Sequence, residues 1–216
     1  MVGRAREPRG LLRRRSRNLP QRRTVLIVCE GKETEPNYFH CLKCEPGPSK
    51  TFAITIKPGR GRSPLSVVNE AVKLKKEKTG LGIPYDEVWA VFDTEGPESR
   101  DSLLKALKKA KKEAIETAIS NPCFEVWLLS HFEKSASAFA SPEQAEKRLN
   151  VIWKKAFGGQ EYDKSASDIF QKVSGNTETA IENSRSVREG HHQAVSIEDA
   201  NSATDVYMLV EKLLSS

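Results

Sequence analysis

The chain has 216 residues, 38% hydrophobic and 30% charged, with a formal net charge of +6. That length suits one sizeable domain, or one domain with a small appendage, and the composition is that of a soluble globular protein. No run of about 18 apolar residues occurs and no apolar stretch follows the N-terminal basic residues, so neither a membrane span nor a secretory signal is expected. Cys29, Cys41, Cys44 and Cys123 are the four cysteines; two fall in predicted core elements, and they read as reduced cytoplasmic thiols rather than a disulfide framework.

Charge is unevenly placed. Residues 1–23 hold nine Arg and one Glu, hence +8, which leaves −2 for the remaining body. This segment reads as a disordered basic tail, able to neutralise phosphates without reading sequence or serving only as a solubilising extension. "TVLIVCE" (24–30) is a continuous apolar run that stops at an acid, as a strand covered on both faces would. A helix is expected next, with Thr34 as cap and Pro36 in the first turn. "FAITI" (52–56) is a second strand, followed by the Gly/Arg loop "KPGRGRSP" (57–64). Ser63-Pro64 then opens a helix that presents Leu65, Val68 and Val72 on one face to about Lys78.

"DEVWAVFD" (86–93) is a third buried strand, again closed by an acid. An amphipathic helix is expected over 97–113, a short strand over 113–120, and a tightly buried helix over "NPCFEVWLLSHFE" (121–133). This alternation predicts an α/β fold with a mostly parallel sheet flanked by helices over 24–134. Beyond Lys134 the pattern is helical. Ser141, Pro142 and Gln144 form a capping box, and Gly158-Gly159 ends the helix it starts. Further helices are expected near 162–173, 177–189 and 204–214. Residues 135–216 are thus a helical region expected to pack on the core rather than stand alone.

In a parallel sheet, ligands bind outside the carboxyl ends of the strands. Glu30 ends the first strand there, and Asp93 with Glu95 ends the third. Asp93 and Glu95, two apart in extended backbone, project to one side. Three carboxylates on one edge raise one another's pKa values, and a hard divalent cation, Mg²⁺ or Mn²⁺, removes the conflict. Phosphodiester cleavage is the chemistry such a site suits; helix capping is the simpler alternative for each acid alone. Glu125 sits in so apolar a helix that it needs a partner, either a metal or a buried hydrogen bond. For Glu35 a role at the helix start is favoured over ligation. Lys57, Arg60 and Arg62, set between glycines on the same edge, suit phosphate binding, although the G-K-[S/T] of a P-loop is missing. His40, Cys41 and Cys44 offer only a weak zinc pattern. The lysine face of 105–112 reads first as a solvated helix face, and second as a nucleic-acid contact.

The Glu-Gly after the first strand and an acidic pair after the third resemble the Toprim pattern of topoisomerases, primases and overcoming-lysogenization-defect nucleases. More closely, "VCEGKETEPNYF", "VFDTE", "SNPCFEVWLLSHFE" and "NSATDVYMLVEKL" resemble the RloB-like family, over about residues 24–214. That resemblance implies a Toprim-like core, a metal-dependent nuclease tied to phage defence or restriction, and an RloA-like ATPase partner. Glu30 then matches the family's metal ligand or general acid/base, and Asp93 the first Asp of D-x-D. Glu95 replaces the usual second Asp, lengthening the side chain by one methylene. Two rival readings remain: a non-catalytic nucleic-acid-binding subunit, and a regulatory subunit of the ATPase.

Overall fold

The computed structural model describes residues 22–59, 63–94, 100–134, 137–191, 196–197 and 199–215. Its centre is a four-stranded, all-parallel sheet of order β2-β1-β3-β4. The strands are β1 (Arg23–Cys29), β2 (Phe52–Lys57), β3 (Glu87–Asp93) and β4 (Glu116–Ser120). The register sets Cys29 beside Val91 and Asp93 beside Ser120, so the carboxyl ends of the strands form one edge. Thr204 adds an antiparallel bridge to Ser120 at the outer side of β4.

Apolar runs with no polar alternation require cover on both faces, and both faces are covered. Val25, Ile27, Cys29, Trp89 and Val91 point to one side. Leu26, Val28, Val88, Ala90 and Phe92 point to the other, as the two-residue period of a strand demands. The second side packs α3 (Pro64–Gly80) and α4 (Arg100–Glu113) through Val68, Ala71, Leu103 and Ala106. The first side packs α1 (Thr34–Leu42), α5 (Glu125–Ser130), α6 (Pro142–Ala156), α7 (Ile169–Val173), α8 (Thr177–Gly190) and α9 (Val206–Leu214). Leu149, Trp153, Phe170 and Leu209 of the C-terminal third therefore share one apolar cluster with β1 and β3.

Several local expectations shift. Glu33, not Thr34, is the N-cap of α1, and no side-chain cap bond is made. Thr34 instead donates its hydroxyl to the Lys164 carbonyl at 3.3 Å. The expected capping box of α6 is also redrawn, because Gln144 accepts from the Ala140 amide at 2.9 Å rather than from Ser141. The helix expected over 121–133 is confined to Glu125–Ser130. That expected over 162–173 shortens to Ile169–Val173. A short helix absent from the sequence reading, α2 (Pro46–Thr51), begins on a proline, which suits the first helical position.

His131, just past α5, is fully buried in this core and stacks edge-on to Trp127. Its Nδ1 bonds the Trp127 carbonyl at 3.0 Å, and burial lowers its pKa to about 4. A histidine free in the unfolded chain protonates near pH 6.5. Between those values the unfolded state takes up a proton that the fold refuses, so stability falls as pH drops from about 6.5 to 4. The expected loss across that window is on the order of 3 kcal/mol. Urea titrations of wild type and His131→Gln at pH 7 and pH 4 should show this component in wild type alone; equal losses would contradict it.

Candidate active site at the carboxyl edge of the sheet

Glu30 leaves β1 at the carboxyl edge. Its amide still donates to Val91 of β3 at 2.9 Å, which keeps the residue in the sheet's plane. Its Oε2 accepts the Asp93 amide at 3.0 Å. The Glu30 side chain is therefore laid across the edge from β1 to β3, and the predicted pair is brought together. Gly31 begins the turn into α1, and its amide donates to Glu35 Oε1 at 3.0 Å. Glu35 is buried: it reaches back over the turn rather than capping the helix ahead of it. A side chain at Gly59 would overlap the Glu30 carbonyl, and the Gly59 amide donates to the Gly31 carbonyl at 2.9 Å. Only a glycine lets the chain after β2 cross so close to the end of β1.

Glu125 opens α5 and is buried at 4% exposure. It accepts the Tyr162 hydroxyl at 3.2 Å, and Lys164 Nζ stands 3.4 Å away, also paired with Glu146 at 2.9 Å. The loop carrying Lys164 is strapped to α1. Asn37 donates to the Ser165 carbonyl at 3.0 Å, and the Cys41 thiol to the Ser167 carbonyl at 2.9 Å. The C-terminal third thus closes one wall of an open cleft of about 430 Å³, lined by Glu30, Glu35, Asp93, Glu125 and Lys164.

The electrostatics of this cleft follow from crowding. Burial pushes the Asp93 carboxyl well above the usual range; Glu35, Glu125 and Glu30 push it further, and the Phe124 amide partly offsets them. Glu35 is raised too, first by burial and then by Glu125, against its hydrogen bonds to backbone amides and the nearby Lys164. Although burial opposes its charge, Lys164 is held above the ordinary lysine range by Glu125 and Glu146. The cleft gathers five carboxyl groups, of Glu30, Glu33, Glu35, Asp93 and Glu125, against two ammonium groups, of Lys32 and Lys164, and its acidic donors are all oxygens. That donor chemistry fits a hard divalent cation.

A second cleft, of about 460 Å³, lies on the other side of Glu30, against α3. Lys57, Gly59, Ser66, Glu70 and Lys73 line it. Of the residues singled out in the sequence, Glu30, Asp93 and Glu125 share the first cleft and Lys57 lines the second. Glu95, Arg60 and Arg62 lie outside the described residues. Lys164, Tyr162 and the full part played by Glu35 are not foreseen by the sequence. The one local signal for Lys164 is the turn around it, where Asp163 accepts the Ser165 amide at 2.9 Å.

A model of the RloB-like protein family matches residues 25–213. The match runs from β1 through α9 and takes in every acid of the cleft. The chain belongs to the RloB-like protein family. No curated protein and no solved structure matches it. In this RloB-like chain the weak zinc pattern dissolves into packing and hydrogen bonds: Cys41 donates to Ser167, and Cys44 to the His40 carbonyl at 3.3 Å. Among the described residues, no group of three or more His, Cys, Asp or Glu is placed to hold a metal ion.

Proposed function

We propose that this RloB-like chain is a Toprim-type nuclease that hydrolyses phosphodiester bonds of DNA or RNA. Mg²⁺ or Mn²⁺ would be held by Glu30, Asp93 and Glu95, with Glu125 as a further donor. The bound ion would polarise the phosphate and make an attacking hydroxide available near neutral pH. The observation that carries the reading is the Glu30–Asp93 junction. Two neighbouring parallel strands end in acids locked to each other, beside two more buried carboxylates that a cation would relieve.

The chain's own residues divide the remaining work. Glu35 holds the turn at Gly31, directly after Glu30, while the bonds of Glu30 to Val91 and Asp93 keep it on β3. Tyr162 and Lys164 hold Glu125 in place, and the exposed part of Lys164 offers the cleft an ammonium for a phosphate oxygen. Lys57, with Arg60 and Arg62, would meet the flanking phosphates. Family membership further supports a place in phage defence or restriction and an RloA-like ATPase partner. The 216 residues hold no G-K-[S/T], so any ATP dependence would come from that second chain.

Incubation of supercoiled plasmid and of folded RNA with Mg²⁺ or Mn²⁺, with and without the cognate ATPase, tests the proposal. Cleavage that disappears with EDTA is expected. Its absence under every condition would overturn the enzyme reading in favour of a nucleic-acid-binding or regulatory subunit.

A further inference from the structure

The face of the sheet opposite α5 carries a charge asymmetry that the proposed chemistry does not use. α3 and α4 together hold ten Lys and Arg against four Asp and Glu, a surplus of six positive charges. Residues 24–216 sum to −2, so everything outside the tail and these two helices sums to −8. These two helices are thus net positive while the remainder of the chain outside the tail is net negative.

Part of that charge is engaged at home. Lys75 donates to the Glu113 and Ala114 carbonyls at 2.8 and 2.9 Å, Lys76 pairs with Glu113 at 3.2 Å, and Lys109 donates to Asn69 at 2.6 Å. These contacts tie α3 to α4 and fix the spacing of the lysines between them. Lys105, Lys108, Lys111 and Lys112 are exposed and form no ion pair among the described residues. The surface also has a direction. Lys73 of α3, paired with Glu77 at 3.9 Å, lines the second cleft together with Lys57, Glu70 and Glu30, so that cleft joins α3 to the Glu30 edge.

We infer that the α3–α4 face is a docking track for the phosphate backbone of a nucleic-acid duplex, which it feeds past Lys73 and Lys57 to the Glu30–Asp93 edge. The inference rests on the nuclease reading and names the form of its substrate. Lysines are compact point charges that follow phosphates without reading bases. Lys105 to Lys112 cover about 10 Å of helix axis, close to three steps along a duplex. Single strands are gripped by aromatic platforms as well as by charge. Here the nearby aromatics are withdrawn: Phe92 is buried and Tyr85 lies beneath Lys78, 5.8 Å from its ring centre.

The test is equilibrium binding of the full chain, in EDTA, to a 30-base-pair DNA duplex, the matching RNA duplex and a single strand, over a salt series. The variant is Lys105→Gln/Lys108→Gln/Lys112→Gln, and Lys43→Gln/Lys50→Gln/Lys155→Gln on the opposite side is the matched control. Each lost phosphate contact lowers the slope of log K against log salt by about 0.9. The triple variant should lose about two to three units of slope and at least tenfold in duplex affinity at 150 mM salt, with the control near wild type. The DNA and RNA arms identify the preferred duplex. Duplex affinity within twofold of wild type in the triple variant would overturn the inference. So would an equal loss in the control, tighter binding of the single strand, or no nucleic-acid binding by wild type, the result expected of a surface made for an acidic protein. Because EDTA removes cleavage from the readout, lysine-dependent binding without any nuclease activity would sink the enzyme reading and leave the track standing.

Discussion

Asp93→Asn is expected to abolish metal-dependent cleavage and, in the same molecule, to raise the melting temperature of the metal-free protein. The first effect follows from charge and position. The variant would keep its backbone amide on Glu30 Oε2, since no side-chain atom of Asp93 takes part in that bond, but would offer a neutral oxygen where the cation needs an anion. Loss of an outer partner at a metal site costs about 10–100-fold, so loss of a ligand should cost at least 100-fold. The second effect follows from repulsion. Burial and three neighbouring carboxylates raise the pKa of Asp93, so the fold holds its proton more tightly than the unfolded chain does. An acid with a raised folded pKa makes stability fall as pH rises, from about pH 4 upward until the folded carboxyl has ionised. Asparagine has nothing to ionise. The gap in melting temperature between variant and wild type should therefore open from pH 4 to pH 8, by roughly 2–4 °C for each kcal/mol of repulsion removed. Added Mg²⁺ should close it by stabilising wild type alone. Cleavage retained by the variant would sink the site, and a variant less stable than wild type at pH 8 without metal would sink the electrostatic account.

Trp127→Ala should be the most damaging single truncation in the core. The indole is fully buried, meets Tyr38 edge-on at 6.2 Å and His131 at 4.8 Å, and belongs to the cluster that joins α5 to β1 and α1. Removing a buried tryptophan costs about 3–5 kcal/mol, a large share of the roughly 5–15 kcal/mol that holds a domain folded. In a chain of this size that is a fall of roughly 6–20 °C. The site would feel it too, because Glu125 opens the helix that Trp127 anchors. Val151→Ala, at a side chain 62% exposed, should change stability by less than about 0.5 kcal/mol. A fall below 2 °C for Trp127→Ala would contradict the packing described here.

Glu30 and Asp93 can be picked out from sequence because each ends an apolar run, and in a parallel sheet such ends converge on one edge. Their direct junction depends on β1 and β3 being neighbours, which follows from the order β2-β1-β3-β4 and leaves no local mark in either strand. Glu35 looks like a helix-start residue for the same reason that it is one turn from Gly31: its spacing allows both uses, and only burial decides. Lys164 is invisible in the sequence because its turn names no partner; the partner comes from packing α6 against α5 and α7 against α1. The helix expected over 162–173 shortens because Tyr162 turns inward to Glu125 and Asp163 closes on Ser165, which takes those residues out of helical geometry. α2 escapes a sequence reading because "PGPSKT" looks like a turn unless Pro46 is allowed the first helical position.

Cation binding at the Glu30–Asp93 junction underlies every step of the proposed chemistry. Mn²⁺ binding to the full-length protein, followed by the resonance of the free ion, measures it without requiring the right nucleic acid. Wild type should take up Mn²⁺, and Glu30→Gln and Asp93→Asn should each weaken that uptake at least tenfold. No uptake by wild type at millimolar Mn²⁺, or uptake unchanged in both variants, would contradict the metal site at the centre of this reading.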